Sequence, residues 1–112
     1  MGLRQERLAD EIRDVVAACF QGGQMSDPRL QFVAITAVKL TGDLQLASVY
    51  YRMIGDGMPK EKVQAGLERA GVFLRRRVAE SIEMRRVPSL RFFFDESIER
   101  GSRIENLLSH LN

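Results

Sequence analysis

Phe32-Val33-Ala34-Ile35-Thr36-Ala37-Val38-Lys39-Leu40 and Leu46-Ala47-Ser48-Val49-Tyr50-Tyr51-Arg52-Met53-Ile54 are two runs rich in β-branched and aromatic residues, with Thr41-Gly42-Asp43 between them. Such side chains suit a pleated, half-buried surface. A loop this short, carrying Gly and Asp, predicts that the two strands pair as an antiparallel hairpin. The hairpin is the fixed point from which the rest of the chain is read.

On its N-terminal side, Leu8, Ile12, Val15, Val16 and Cys19 recur at three- and four-residue steps between Leu3 and Phe20, while Arg4, Arg7, Asp10, Glu11 and Asp14 cover the opposite side. This is the pattern of an amphipathic helix. Gly22-Gly23 should end it, and Ser26-Asp27-Pro28 should turn the chain into the first strand. Beyond the hairpin, Gly55-Asp56-Gly57-Met58-Pro59 closes the second strand and a helical stripe begins: Val63, Leu67, Ala70, Leu74, Val78 and Ile82, from Lys60 to Met84. One straight helix of that span would be about 37 Å long, more than a domain of this size needs. The spacing therefore predicts a break at Ala70-Gly71-Val72, since Gly71 weakens the helix by about 1 kcal/mol relative to Ala. Arg77 bears on this, because in an unbroken helix it falls within the apolar stripe. Either the axis re-phases or Arg77 snorkels.

Val87-Pro88 ends the helical pattern, and Leu90-Arg91-Phe92-Phe93-Phe94 reads as a third strand with Pro88 at its first position. Ser102-Arg103-Ile104-Glu105 has the spacing of a capping box, and Ile104, Leu107, Leu108 and Leu111 follow with helical period. The expected architecture is α+β in the order α-β-β-α-α-β with a three-stranded sheet, a kinked helix pair and a short C-terminal helix. At 112 residues with 45% apolar content, residues 1–112 should form one domain around one core.

Composition excludes several classes of function. Cys19 is the sole cysteine, so no internal disulfide forms and a reducing, cytoplasmic setting is expected. The charged start Arg4-Gln5-Glu6-Arg7 is unlike a signal peptide, and no apolar run reaches the roughly 18 residues of a membrane span. The single histidine is His110 and the single cysteine lies on the buried face of the first helix, which leaves no nucleophile–base pair and no set of metal ligands. No glycine-rich phosphate loop is present, and Asp95-Glu96, the best carboxylate pair, fits turn chemistry at a strand end. No enzyme, no metal and no cofactor are expected.

Charge is the remaining signal. The net charge is only +2, yet Arg69, Arg75, Arg76, Arg77, Arg85, Arg86 and Arg91 face only Glu80 and Glu83 in the same segment, an excess of +5. These seven are the candidate RNA contacts, since the planar guanidinium fork suits phosphate. Arg75, Arg76 and Arg77 spread around roughly 200° of a helix and cannot form one flat row. Two alternatives stand beside this reading: a solvated helix face laced with Arg76–Glu80 pairs, and an arginine bias inherited from a G- and C-rich genome. Tyr50, Tyr51 and the phenylalanines of the third strand could stack on bases, but at strand spacing only one of each neighbouring pair should be exposed.

Four stretches, in this order and spacing, resemble the ribosome-binding factor A family of bacterial small-subunit maturation factors over almost the whole chain. They are Asp27-Pro28-Arg29-Leu30 leading into Phe32-Val33-Ala34-Ile35-Thr36; Asp43-Leu44 to Ala47-Ser48-Val49-Tyr50; Ala70 with Phe73-Leu74-Arg75; and Arg85-Arg86-Val87-Pro88-Ser89-Leu90 with Phe92 and Asp95. The resemblance implies a type II KH-like fold lacking the Gly-x-x-Gly loop. It also implies an Ala-x-Gly interhelical kink that maps to Ala70-Gly71-Val72, where the glycine stands one position early. By the same resemblance the chain would be a monomeric, cytoplasmic, non-catalytic assembly factor. It would bind the free small (30S) ribosomal subunit and promote late maturation and 5′-end processing of 16S rRNA, including cold adaptation, with a ribosome-assembly GTPase as a further partner. From the residues alone, a protein-interaction adapter using the sheet or the acidic first helix, with no direct RNA contact, remains the alternative.

Overall fold

The hairpin forms as its sequence predicts: β1 (Val33–Leu40) and β2 (Leu46–Met53) pair antiparallel. The structure is a computed structural model that describes residues 2–21, 25–55 and 57–97. β3 (Ser89–Phe94) lies parallel to β2 on its other side, so the sheet order is β1-β2-β3 with β2 central. A parallel neighbour cannot be reached by a tight turn, and the connection is made by helix α2 (Lys60–Ser81). Helix α1 (Gly2–Gln21) packs on β1 and α2 on β3. Ile12, Val16 and Cys19 of α1 meet Val63, Leu67, Leu74 and Val78 of α2 over Ala47, Val49 and Tyr51 of β2 in one buried cluster. Both helices therefore cover the same face of the sheet. Among the described residues this is an α+β arrangement with the type II KH-like order, its two central helices merged into one. Gly22-Gly23 and the expected C-terminal helix around Ser102 to Leu111, with His110, lie outside the described residues.

The expected break is absent. α2 runs without interruption through Ala70-Gly71-Val72, because the roughly 1 kcal/mol that glycine costs is small beside the burial of Val63 and Leu67 on one side of Gly71 and Leu74 and Val78 on the other. Arg77 resolves its misplaced phase by snorkelling: it is half-buried, its Nε is enclosed without a partner, and its Nη1 reaches out to Glu80 Oε1 at 3.1 Å. The helix ends at Ser81 rather than Met84, with Ile82 in extended backbone at φ −127°. Leaving the helix there lets Ile82, Met84 and Val87 pack against the core and buries Pro88, which precedes the first residue of β3. A β-carbon added at Gly71 would meet only Phe92 Cε2, at 3.9 Å. Gly71→Ala should therefore stabilise the protein by up to about 1 kcal/mol, read as a higher thermal midpoint. A lower midpoint would mean that the backbone at 71 needs glycine.

The glycine that packing does require is Gly66. It is buried on α2 where Asp27-Pro28-Arg29-Leu30 docks, and a β-carbon there would stand 3.0 Å from Leu30 Cδ2 and 3.4 Å from both Arg29 Nε and Asp27 Oδ2. Asp27 caps this 3-10 turn by accepting from the Arg29 N–H at 2.9 Å, and its other oxygen accepts from Arg29 Nη2 at 2.7 Å. These hydrogen bonds hold the Asp27 carboxyl below its usual range. Higher in the core, fully buried Tyr51 donates its hydroxyl to Gln64 Oε1 at 2.6 Å, and Gln64 Nε2 donates to the Phe92 carbonyl at 2.9 Å. Gln64 thus fastens α2 to both β2 and β3.

One bulge matters for the sheet. Ile35 pairs with Tyr51 and Ala37 with Tyr50, which makes Thr36 the extra residue of β1. Its hydroxyl donates to Asp95 Oδ2 at 2.6 Å, beyond the end of β3, while the Asp95 N–H donates to the Tyr51 carbonyl at 2.8 Å. Thr36, then Ser97, depress the Asp95 carboxyl from 3.8 to about 2. A depressed carboxyl contributes stability that is present above its unfolded value and is lost as pH falls toward the folded one. Acid unfolding should therefore steepen between about 3.8 and about 2, and Thr36→Val should flatten that limb in a series of thermal melts against pH.

Candidate nucleic-acid interface

The seven arginines of the basic segment do not all line one cleft. Arg77 is taken up in the packing described above. Arg75 is exposed but donates from Nη2 to the Val87 carbonyl at 2.9 Å, tying α2 to the chain entering β3. Arg76 is exposed, and Glu80, its expected partner, pairs with Arg77 instead. Arg69 lies beside Asp27, near the docked turn, and its charge helps keep that carboxyl ionised. Arg91 is on β3, exposed, next to Glu68 and Phe93 in the groove between α2 and β3. With α2 unbroken at Ala70-Gly71-Val72, the arginines on either side of Gly71 belong to one continuous helix.

Arg85 and Arg86 are different. They sit on the segment between α2 and β3, and the fold brings them opposite Arg4 and Arg7 on the first turns of α1, across a cleft of about 500 Å³. Leu8, Leu44 and Met84 form its apolar floor. All four guanidinium groups are exposed, and among the described residues none is engaged by a hydrogen bond or ion pair. Three carboxylates also line the cleft: Glu11, Asp43 and Glu83. Asp43 is engaged within its own turn, accepting from the Thr41 hydroxyl at 2.6 Å and the Gln45 N–H at 3.1 Å, which lowers its pKa. Leu44, which follows it, is held at φ 61°, the left-handed region that a branched side chain rarely enters. That backbone turn places the β1–β2 loop at the cleft wall.

Unpaired guanidinium groups from two elements around a concave surface can take up phosphate oxygens by bidentate contact. Cys19 is buried in the core, and among the described residues no group of three His, Cys, Asp or Glu side chains is placed to hold a metal ion. Asp95 is occupied in the clasp with Thr36. No helix among the described residues is long and apolar enough to cross a membrane. Arg4 and Arg7 escaped the reading of the sequence because they belong to a helix with an acidic flank and lie some eighty positions from Arg85. Their i, i+3 spacing beside Leu8 marks one helix face, but no local signal says what that face will meet.

Residues 4–108 match the family model described as ribosome-binding factor A. The ribosome-binding factor A of Heliobacterium modesticaldum is 44% identical over 110 residues, 98% of this chain and 90% of that protein. The crystal structure of ribosome-binding factor A from Thermus thermophilus superposes with a TM-score of 0.71 at 29% identity, covering 80% of this chain and 93% of that one. A homology model of the Thermus thermophilus factor, fitted into a cryo-EM map of a 30S complex, superposes with a TM-score of 0.67 at 28% identity, over 82% and 96% of the two chains.

Proposed function

The chain belongs to the ribosome-binding factor A family, and from that premise we propose that it binds the free small ribosomal subunit in the cytoplasm and assists late maturation and 5′-end processing of 16S rRNA, including in the cold. It does so without catalysis, by attaching to phosphates and stabilising one rRNA conformation, so that processing changes because the substrate folds differently. The observation that carries the reading is the convergence of Arg4, Arg7, Arg85 and Arg86 around one cleft, none of them engaged by a hydrogen bond or ion pair among the described residues. The Thermus thermophilus factor fitted into a 30S map supports the same partner. A ribosome-assembly GTPase is a natural agent for timing release, because an electrostatic attachment has no hydrolytic step of its own.

Co-sedimentation with purified 30S subunits at low and high salt tests the proposal. Binding should occur and should weaken steeply as salt rises, since every phosphate contact releases a counterion. Capture that does not respond to salt would favour a protein-adapter role instead.

A further inference from the structure

The sheet face turned away from the helices carries its own pattern. Alternation sends Ala47, Val49 and Tyr51 of β2 into the core and Ser48, Tyr50 and Arg52 to the open side. Register then aligns residues in rows across the strands. One row is Lys39–Ser48–Arg91, and the next is Ala37–Tyr50–Phe93. Tyr50 and Phe93 lie with ring centroids 5.8 Å apart and planes tilted by 34°, and Lys39 Nζ is 5.6 Å from the Tyr50 ring. Phe93 is 44% exposed, although burying a phenylalanine is among the larger gains available to a fold of this size. No strand residue on this face is acidic. Asp95 and Glu96 stand at its rim beyond β3, with the Asp95 carboxylate already engaged by Thr36.

We propose that this open face holds single-stranded RNA, with bases stacking on Tyr50 and Phe93 and phosphates meeting Lys39 and Arg91. The inference extends the proposed rRNA reading by adding a second RNA surface, distinct from the arginine cleft. The geometry suits a strand rather than a duplex. Tyr50 and Phe93 stand side by side in one row, and the row that holds Lys39 and Arg91 lies two residues along each strand, about 7 Å away, so that stacked bases and their phosphates can be met together. Only unpaired bases present a free π-face to such a platform. Lys39 and Arg91 flank it two strand spacings apart, about 10 Å, and Arg91 has no hydrogen bond or ion pair among the described residues.

The test is binding of a single-stranded oligoadenylate of about ten nucleotides, compared with the same length of duplex RNA, with co-sedimentation on 30S subunits run in parallel. Phe93→Ala should weaken oligonucleotide binding about tenfold with an unchanged circular dichroism spectrum, and Phe93→Tyr should restore it. Lys39→Gln combined with Arg91→Gln should make the salt dependence shallower without disturbing the rings. Equal affinity of Phe93→Ala and the unaltered protein, or equal binding of duplex and single strand, would overturn the proposal. If the unaltered protein still sediments with subunits in that case, the proposed function stands and only the sheet platform falls. If it does not sediment, the proposed function fails whatever the oligonucleotide shows.

Discussion

Changing Arg4, Arg7, Arg85 and Arg86 together to glutamine should weaken binding to the small subunit by at least a hundredfold at low salt, with the loss shrinking as salt is raised. Four phosphate contacts give a log K against log salt slope of roughly −3 to −4, so the unaltered protein should lose about a hundredfold in affinity between about 50 mM and about 200 mM salt. Without the four charges that slope should become much shallower. The fold should survive, because all four side chains are exposed and, among the described residues, unengaged, and surface substitutions of this kind usually shift stability by no more than about 0.5 kcal/mol each. Arg76→Gln is the matched control. Arg76 is equally exposed and belongs to the same basic segment, but it lies outside the cleft and should matter much less. Equal losses from Arg76→Gln and from Arg85→Gln would show that net charge, rather than the cleft, attracts the subunit.

Gly66→Val should destabilise the protein by about 1–3 kcal/mol, the usual cost of forcing extra atoms into packed space. The first added carbon already stands 3.0 Å from Leu30 Cδ2, and the branch adds two more methyl groups against the docked Asp27–Leu30 turn. Better helix propensity returns only a few tenths of a kcal/mol. Urea unfolding measures the difference, and Gly66→Val together with Leu30→Ala should lose less than the two single changes added, because the smaller side chain makes room. Set beside Gly71→Ala, which should stabilise, the pair separates a glycine kept for close approach from one that packing merely tolerates.

The positions where sequence and structure part share a cause. Apolar period placed α1, the hairpin and β3 correctly, because alternation, three- and four-residue stripes and turn residues are properties of neighbours along the chain. Gly71 is a weak point by local propensity alone, but Leu67 and Leu74, buried on either side, hold the helix through it. The length that exceeds what a lone helix needs is used by the crossover from β2 to a parallel β3. A charge sum along a segment carries no information on which way each arginine is turned. Tyr50 and Phe93 were legible as candidates for exposure, since only one of each neighbouring aromatic pair can face the core, but their side-by-side placement depends on the β2–β3 register.

By itself, then, the sequence determined the class of the fold, the hairpin, the third strand and the presence of an arginine-rich segment. The tertiary structure decided that α2 is one helix, that Gly66 is the glycine it needs, and that Arg85 and Arg86 face Arg4 and Arg7 across a cleft while Arg69, Arg75, Arg76, Arg77 and Arg91 go elsewhere. Secondary structure follows from backbone preference and short-range burial, which each stretch carries within itself. A site made by two ends of the chain exists only once the core has closed and brought them face to face.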